Sequence, residues 1–298
     1  MVAQIAPVFL FVLFGYLFKL LKRDISKELT DFVIFFSLPA LALSKIRVLE
    51  FDDKIYKVIA ISYIAMFMGF VFSFVIGKLL KLSKKDLATF MMVSIFGNTS
   101  FVGFSYIESL YGESNIVYAL VYDQLGSFLA LLTVGIGIIT WGGGKGVGRI
   151  EIAKSIFLSP PLLAIFLAFA LRGVEFPQFF ENILDKLQAT LIPLVTIIVG
   201  MKLELKGLRL YFKQSIIAIF IKMFLTPFVM IFMFYFFTDF SQTWAKVTFL
   251  EVAMPPMTMA VVYSIRGGLN KNLAINSLAL GIVVSFFSIV VWNILIEG

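Results

Sequence analysis

The sequence of 298 residues predicts an all-α integral membrane protein with ten transmembrane helices. They form a 5+5 inverted repeat in which broken helices 4 and 9 cross. Three observations predict this. The chain is 60% hydrophobic, holds 35 Phe and is only 14% charged, and apolar runs near the ~20 residues needed to cross a bilayer recur from end to end. Two runs are interrupted, one by Gly97-Asn98-Thr99-Ser100 and on to Gly103, the other by Met254-Pro255-Pro256. Landmarks also repeat: Pro7 and Pro161 are 154 residues apart, Pro39 and Pro193 are 154 apart, and Asn98 and Pro255 are 157 apart. Five spans per half is an odd number, so the second half must enter the bilayer inverted. The alternative is a set of tolerated proline kinks without symmetry.

The spans run over 2–21, 27–46, 55–77, 87–110, 116–141, 152–171, 183–201, 210–237, 243–265 and 271–296. The first has no basic start and no small-residue cleavage site, so it reads as a retained span and not a signal peptide. Loops are short, and Gly142–Gly148 is flexible by composition. It is no phosphate loop, because it lacks the Gly-Lys-Ser/Thr end and a flanking strand. With the N-terminus outside, inner loops carry seventeen Lys and Arg and outer loops seven, which favours both termini outside. The net charge of +7 is then a property of basic cytoplasmic loops, and no nucleic-acid partner is expected. The absence of Cys and His removes disulfides, thiolate chemistry, the commonest metal ligand and the usual neutral-pH proton carrier. An intramembrane enzyme is disfavoured on the same ground, with no clustered acidic metal motif to replace them.

Depth places the polar residues. Asn98 lies about 12 residues into span 4 and Pro255 about 12 into span 9, each ~18 Å along its helix and near mid-membrane. A break there must line a cavity or be covered by protein, and paired breaks in two halves point to a transport site. Half-helix N-termini suit an anion, and the preceding carbonyls suit a cation. Three ionisable residues lie at buried depth. Asp123, in Tyr122-Asp123-Gln124, and Glu251 are each ~12 Å in by helix rise, and Lys222 is near the midplane. Such charges are functional by default. The structural alternative is an ion pair between Asp123 and Lys222.

Other features have blander readings. Asp31 and Glu108 sit near span ends, where charges reach water. Gly126, Ser127, Ala130, Thr133 and Gly137 form a small-residue face of the kind that packs helices closely, although Ser127 could offer a hydroxyl one turn below Asp123. Phe35-Phe36 and Phe232–Phe237 read as lipid contacts.

Leu38-Pro39-Ala40-Leu41, Gly97-Asn98-Thr99-Ser100-Phe101-Val102-Gly103, Tyr122-Asp123-Gln124 and Ala253-Met254-Pro255 together resemble the auxin efflux carrier family, which includes bacterial malate and malonate permeases and the plant PIN proteins. The resemblance spans the whole chain. It implies a bile-acid-symporter-like fold: a scaffold of spans 1, 2, 6 and 7 (1–48 and 151–207), a mobile transport domain of spans 3–5 and 8–10 (49–141 and 208–298), and a linker at 142–150. It also implies homodimers through the scaffold and organic-anion substrates. Many bacterial members carry Pro shortly after the second Gly, where this chain has Ser105.

The resulting expectation is a secondary active transporter of small organic anions, mono- or dicarboxylates or auxin-like acids, working by elevator-type alternating access in a prokaryotic inner (plasma) membrane. Substrate would meet Asn98, Thr99, Ser100, Lys222, Pro255 and Pro256. A coupling cation, sodium or a proton, would use Asp123, Gln124, Ser127 and Glu251, a sodium ion sitting between Asp123 and Glu251. No cofactor is expected beyond such an ion, and the partners are the substrate, lipid and a second copy of the chain. The rival reading is a sodium/proton antiporter using Asp123 and Lys222.

Overall fold

The computed structural model describes residues 2–50, 52–143, 158–204 and 211–297. It is all-helical, and among the described residues it holds no strand, only one isolated antiparallel bridge between Gly97 and Pro256. Helix α1 is Val2–Leu21. Helices α2 (Ser26–Ile46) and α3 (Asp53–Leu79) follow. Then come α4 (Lys84–Ile95) and, after a break, α5 (Phe104–Tyr111). Helix α6 is Glu113–Trp141 and α7 is Pro160–Ala170. Helices α8 (Gln178–Lys202) and α9 (Phe212–Phe236) precede a second broken pair, α10 (Thr243–Val252) and α11 (Thr258–Arg266). Helix α12 is Lys271–Glu297. Among the described residues, α2, α3, α6, α8, α9 and α12 are the six helices long and apolar enough to cross a membrane.

Among the described residues, observed ends lie within a few residues of those expected, with one difference. Helix α8 starts at Gln178, five residues before the expected 183, because Gln178–Ala189 is an amphipathic segment whose polar residues stay helical at the surface. The start of span 6 at 152, most of the 142–150 linker, and Lys145, Arg149, Lys154, Lys206 and Arg209 lie outside the described residues.

The helices that position the site are fixed by sequence signals. Asp52 caps α3 by accepting from the Lys54 and Ile55 amides, and Ser83 caps α4 by accepting from that of Asp86, as short oxygen-bearing side chains do at helix starts. Lipid does not drive helices together, so close association needs small residues. Helices α1 and α8 meet through two glycines. A Cβ on Gly15 would strike the Ile197 carbonyl, and one on Gly200 would strike the Val12 carbonyl and lie 2.9 Å from the Tyr16 nitrogen. Helix α2 packs on α7, while α3, α4, α9, α10 and α12 pack mainly on one another.

The small-residue face of α6 is split. A Cβ on Gly126 would strike the Ser62 hydroxyl of α3, so this end packs closely as expected, whereas Gly137 has nothing within 4 Å and Thr133 is exposed. Phe35, Phe36, Phe232 and Phe236 are more than half exposed, as lipid contacts should be. Phe234 departs from that reading. It is fully buried, 5.3 Å from the Phe240 ring and 5.4 Å from Phe249, because a helix turns successive residues of one aromatic run to different sides.

The glycine contact yields a prediction. Gly200→Val forces side-chain carbon into backbone that cannot rotate away, so the melting temperature in detergent should fall steeply, reflecting a loss of roughly 3 kcal/mol or more. Gly137→Ala, facing open space, should leave it unchanged or slightly raised. Equal effects of the two substitutions would refute the contact.

Candidate functional site

The two helix breaks meet, and each supplies what the other lacks. The Asn98 amide donates to the Pro255 carbonyl at 2.7 Å, and the Met257 amide donates to the Phe96 carbonyl at 2.9 Å. At the second break the amides of Ala253 and Met254 still reach the carbonyls of Leu250 and Glu251. Pro255 and Pro256 have no amide hydrogen to leave unpaired. Every backbone donor from 253 to 257 is therefore either satisfied or absent, as a dry membrane core requires. At the first break the Asn98 carbonyl accepts from the Val102 and Gly103 amides, and its side-chain nitrogen donates to Thr258 Oγ1 at 3.0 Å. The prolines come this close to α12 because of Gly281, where a Cβ would collide with Pro256.

Charged side chains sit at the buried helix ends that the breaks create. Thr99–Gly103 is a π-helical turn that starts the second half of the first broken helix. Asp123 is fully buried against it. It accepts from Thr99 Oγ1, from Ser100 Oγ at 2.8 Å and, through Oδ2, from Gln124 Nε2 at 2.6 Å. A carboxylate at a helix N-terminus complements its partial positive charge. Lys222 does the converse. Its ammonium donates to the Val252 carbonyl at 2.6 Å, at the C-terminal end of α10, and lies against Gly97, where a Cβ would be 3.1 Å from Nζ. Among the described residues Lys222 forms no ion pair with Asp123. Its structural role is to cap a helix end inside the membrane.

Glu251 is fully buried, and neither carboxylate oxygen has a hydrogen-bond partner. The carboxyl group lies against Gly103, with Oε1 2.6 Å from where a Cβ would stand, and within electrostatic reach of both Asp123 and Lys222. Ser127 is also buried. Asp123, Gln124 and Ser127 share one π-helical segment, Tyr122–Phe128, and Lys222 lies in another, Ile221–Leu225. Such turns often occur at functional sites because they shift side chains off the α-helical register. Ser105, in place of the common Pro, is buried and donates to the Phe101 carbonyl at 3.3 Å, so α5 begins without a proline.

A cavity of about 400 Å³ reaches this cluster. Its polar lining is Ser100, Gln124, Ser159 and Tyr263, and the remainder, including Phe128 and Met257, is apolar. Asn98, Asp123, Lys222, Glu251 and Pro255 are not among its lining residues, but Asp123 accepts hydrogen bonds from two that are, Ser100 and Gln124. The Gln124 carbonyl oxygen, buried without a partner, belongs to a cavity-lining side chain. Sequence reasoning did not single out Thr258, Gly281, Ser159 or Tyr263. A glycine inside a 27-residue helix was the available signal for Gly281; the others carried none.

An all-helical chain that crosses the membrane, with two interrupted helices paired around buried charges beside a cavity, has the build of a membrane transporter. The chain matches the family described as membrane transport protein over residues 1–293 and belongs to it; the resemblance to the auxin efflux carriers is thereby borne out. It is 27% identical to an uncharacterized transporter of Methanocaldococcus jannaschii across 96% of both chains. It is 25% identical to an uncharacterized transporter of Methanothermobacter thermautotrophicus over 67% of this chain and 65% of that one.

The pairing of charges with helix ends can be tested by a double-mutant cycle. Lys222→Met removes the donor to Val252 and leaves Glu251 without its nearby cation, and an uncompensated buried charge is costly. Adding Glu251→Gln should restore part of the lost melting temperature. Strictly additive effects would show that the two residues do not interact.

Proposed function

We propose that the protein is a secondary active transporter of small organic anions, binding the carboxylate where the two broken helices meet. The observation that carries this reading is the cavity that ends on Ser100 and Gln124 beside two helix N-termini. Asp123 already occupies the N-terminal end at Thr99. The end at Thr258, whose first amides lack intrahelical acceptors, is left for a substrate anion. Asn98, Thr99, Ser100, Pro255 and Pro256 shape that point, and Lys222 adds positive charge from behind Gly97. Asp123 faces the same region with the wrong sign for an anion. A cation arriving with the substrate removes that repulsion, which gives a physical basis for coupling. Glu251, without a hydrogen-bond partner, is the natural second half of the cation site, with Gln124 and Ser127 nearby. The cation is sodium or a proton.

The proposed movement is an elevator. Ten spans are counted by taking each broken pair as one, in a 5+5 inverted repeat. The scaffold is α1, α2, α7 and α8, which also forms the homodimer, and the remaining helices move. The glycine contacts between α1 and α8 support a rigid scaffold. Between the two groups lie contacts of a breakable kind, such as Lys45 to Glu113 at 2.7 Å, with Glu113 half exposed. Exposed pairs of this sort contribute little and are easily exchanged. Both termini are placed outside a prokaryotic inner membrane on the loop-charge count. The second reading, a sodium/proton antiporter, is favoured by the burial of Asp123, Glu251 and Lys222 together.

Proteoliposomes with imposed sodium and pH gradients, offered a panel of labelled mono- and dicarboxylates, separate these readings. Uptake of a carboxylate should be saturable. Asn98→Ala should weaken it about 10-fold or more, the scale of a lost hydrogen bond to a charged group. Cation exchange that needs no organic anion would establish the antiporter instead. A sodium-coupled carrier should gain melting temperature from sodium but not potassium, and lose that gain with Glu251→Gln. A proton-coupled carrier should show no sodium effect and a pH-dependent rate that Glu251→Gln flattens. If Asp123→Asn with Glu251→Gln still concentrates substrate, the proposed coupling site is wrong.

A further inference from the structure

A second site lies on the outer side of α3 and α6, where Met91 and Ile95 of α4 and the adjoining Phe96 also line it. Two apolar cavities of about 470 Å³ and about 320 Å³ share Phe70 and Val134 as walls. Together they form one groove. Along α3 it extends from Tyr63 to Phe74, and along α6 from Ala130 to Trp141. Each wall spans 12 residues, ~16 Å from end to end by helix rise. That is about half of a ~30 Å hydrocarbon core, the depth of one leaflet.

The groove has one charged end. Phe74 and Trp141 close it, with ring centroids 6.4 Å apart. Lys78 Nζ lies 5.6 Å from the Phe74 ring, and Lys84 Nζ lies 5.5 Å from the Trp141 ring. Lys81 and Lys85 are exposed beside them. The acidic residue in this turn, Asp86, forms no ion pair with them. Its carboxylate accepts from Ser83 Oγ at 2.8 Å and from Asn270 Nδ2 at 2.5 Å. None of the four lysines has an ion-pair partner among the described residues. The groove also has room that the protein leaves unfilled, since a Cβ on Gly137 would meet nothing within 4 Å.

A leaflet-deep apolar slot ending in two ammonium groups that stand against aromatic rings without ion-pair partners has the complementarity of an anionic phospholipid. We infer that this groove holds one acyl or alkyl chain of an anionic phospholipid, with its phosphate between Lys78 and Lys84. Basic residues near a membrane surface favour anionic headgroups. Here the aromatic rings fix where the two ammonium groups stand. The site does not depend on the transported substrate, so its test is independent of transport.

Native mass spectrometry of the full-length protein tests the inference, with phosphatidylglycerol and phosphatidylcholine of identical chains as probes. The wild type should retain one phosphatidylglycerol on the order of 10-fold more tightly than phosphatidylcholine, from two lysines acting together. Lys78→Gln with Lys84→Gln should erase that preference without loss of melting temperature, because both side chains are exposed. Gly137→Leu, which fills the slot, should expel the tightly held copy with the lysines intact. Glycerol phosphate, a headgroup without chains, should not compete. A preference that survives the lysine substitutions, a tight copy that survives Gly137→Leu, or competition by glycerol phosphate would each overturn the proposal.

Discussion

The structure depends on one constraint: a backbone group inside the membrane core must find a partner within the protein. Two interrupted helices would each leave unpaired amides and carbonyls at that depth. Here they are brought together, so that Asn98 pairs with Pro255 and Met257 with Phe96. Neither break is tolerable alone. The proline pair shortens the problem by deleting two donors, and Gly281 of the last helix allows the prolines to lie close. The site and the fold are therefore the same object: what allows the helices to stop also creates helix ends that face inward.

Those ends carry partial charges, and the protein answers two of them with full charges of its own. Asp123 meets the N-terminal end at Thr99, and Lys222 meets the C-terminal end at Val252. Glu251 is different. It has burial but no hydrogen-bond partner, and a group in that condition is costly unless something else occupies the site. The contrast separates two buried charges that hold the breaks together from a third whose carboxylate takes no part in them.

The surrounding packing follows from the same solvent. Lipid is as apolar as the side chains, so close association requires backbone contact. Gly15 and Gly200 supply it between α1 and α8. Where small residues face outward, as at Gly137, the same lack of a side chain leaves a slot and not a seam. One residue type thus serves opposite ends, depending on whether another helix is behind it.

The sequence by itself determined the membrane class, the approximate limits of the long apolar helices, and the positions of both breaks. Composition, length and the local chemistry of Gly-Asn and Pro-Pro act within a few residues and leave readable marks. It also pointed to Asp123, Lys222 and Glu251 as buried charges, because helix rise converts sequence position to distance, and all three are buried in the protein. The tertiary structure alone decided what each charge touches. Lys222 and Val252 are thirty residues apart, and Asn98 and Thr258 are 160 apart; no local pattern encodes such pairs. The π-helical turns that carry Asp123 and Lys222 were also invisible, since one extra residue in a turn changes no periodicity over so short a run. Nor could the aromatic run around Phe234 reveal that one ring faces the core, because that depends on which helix lies behind it and not on the residues beside it.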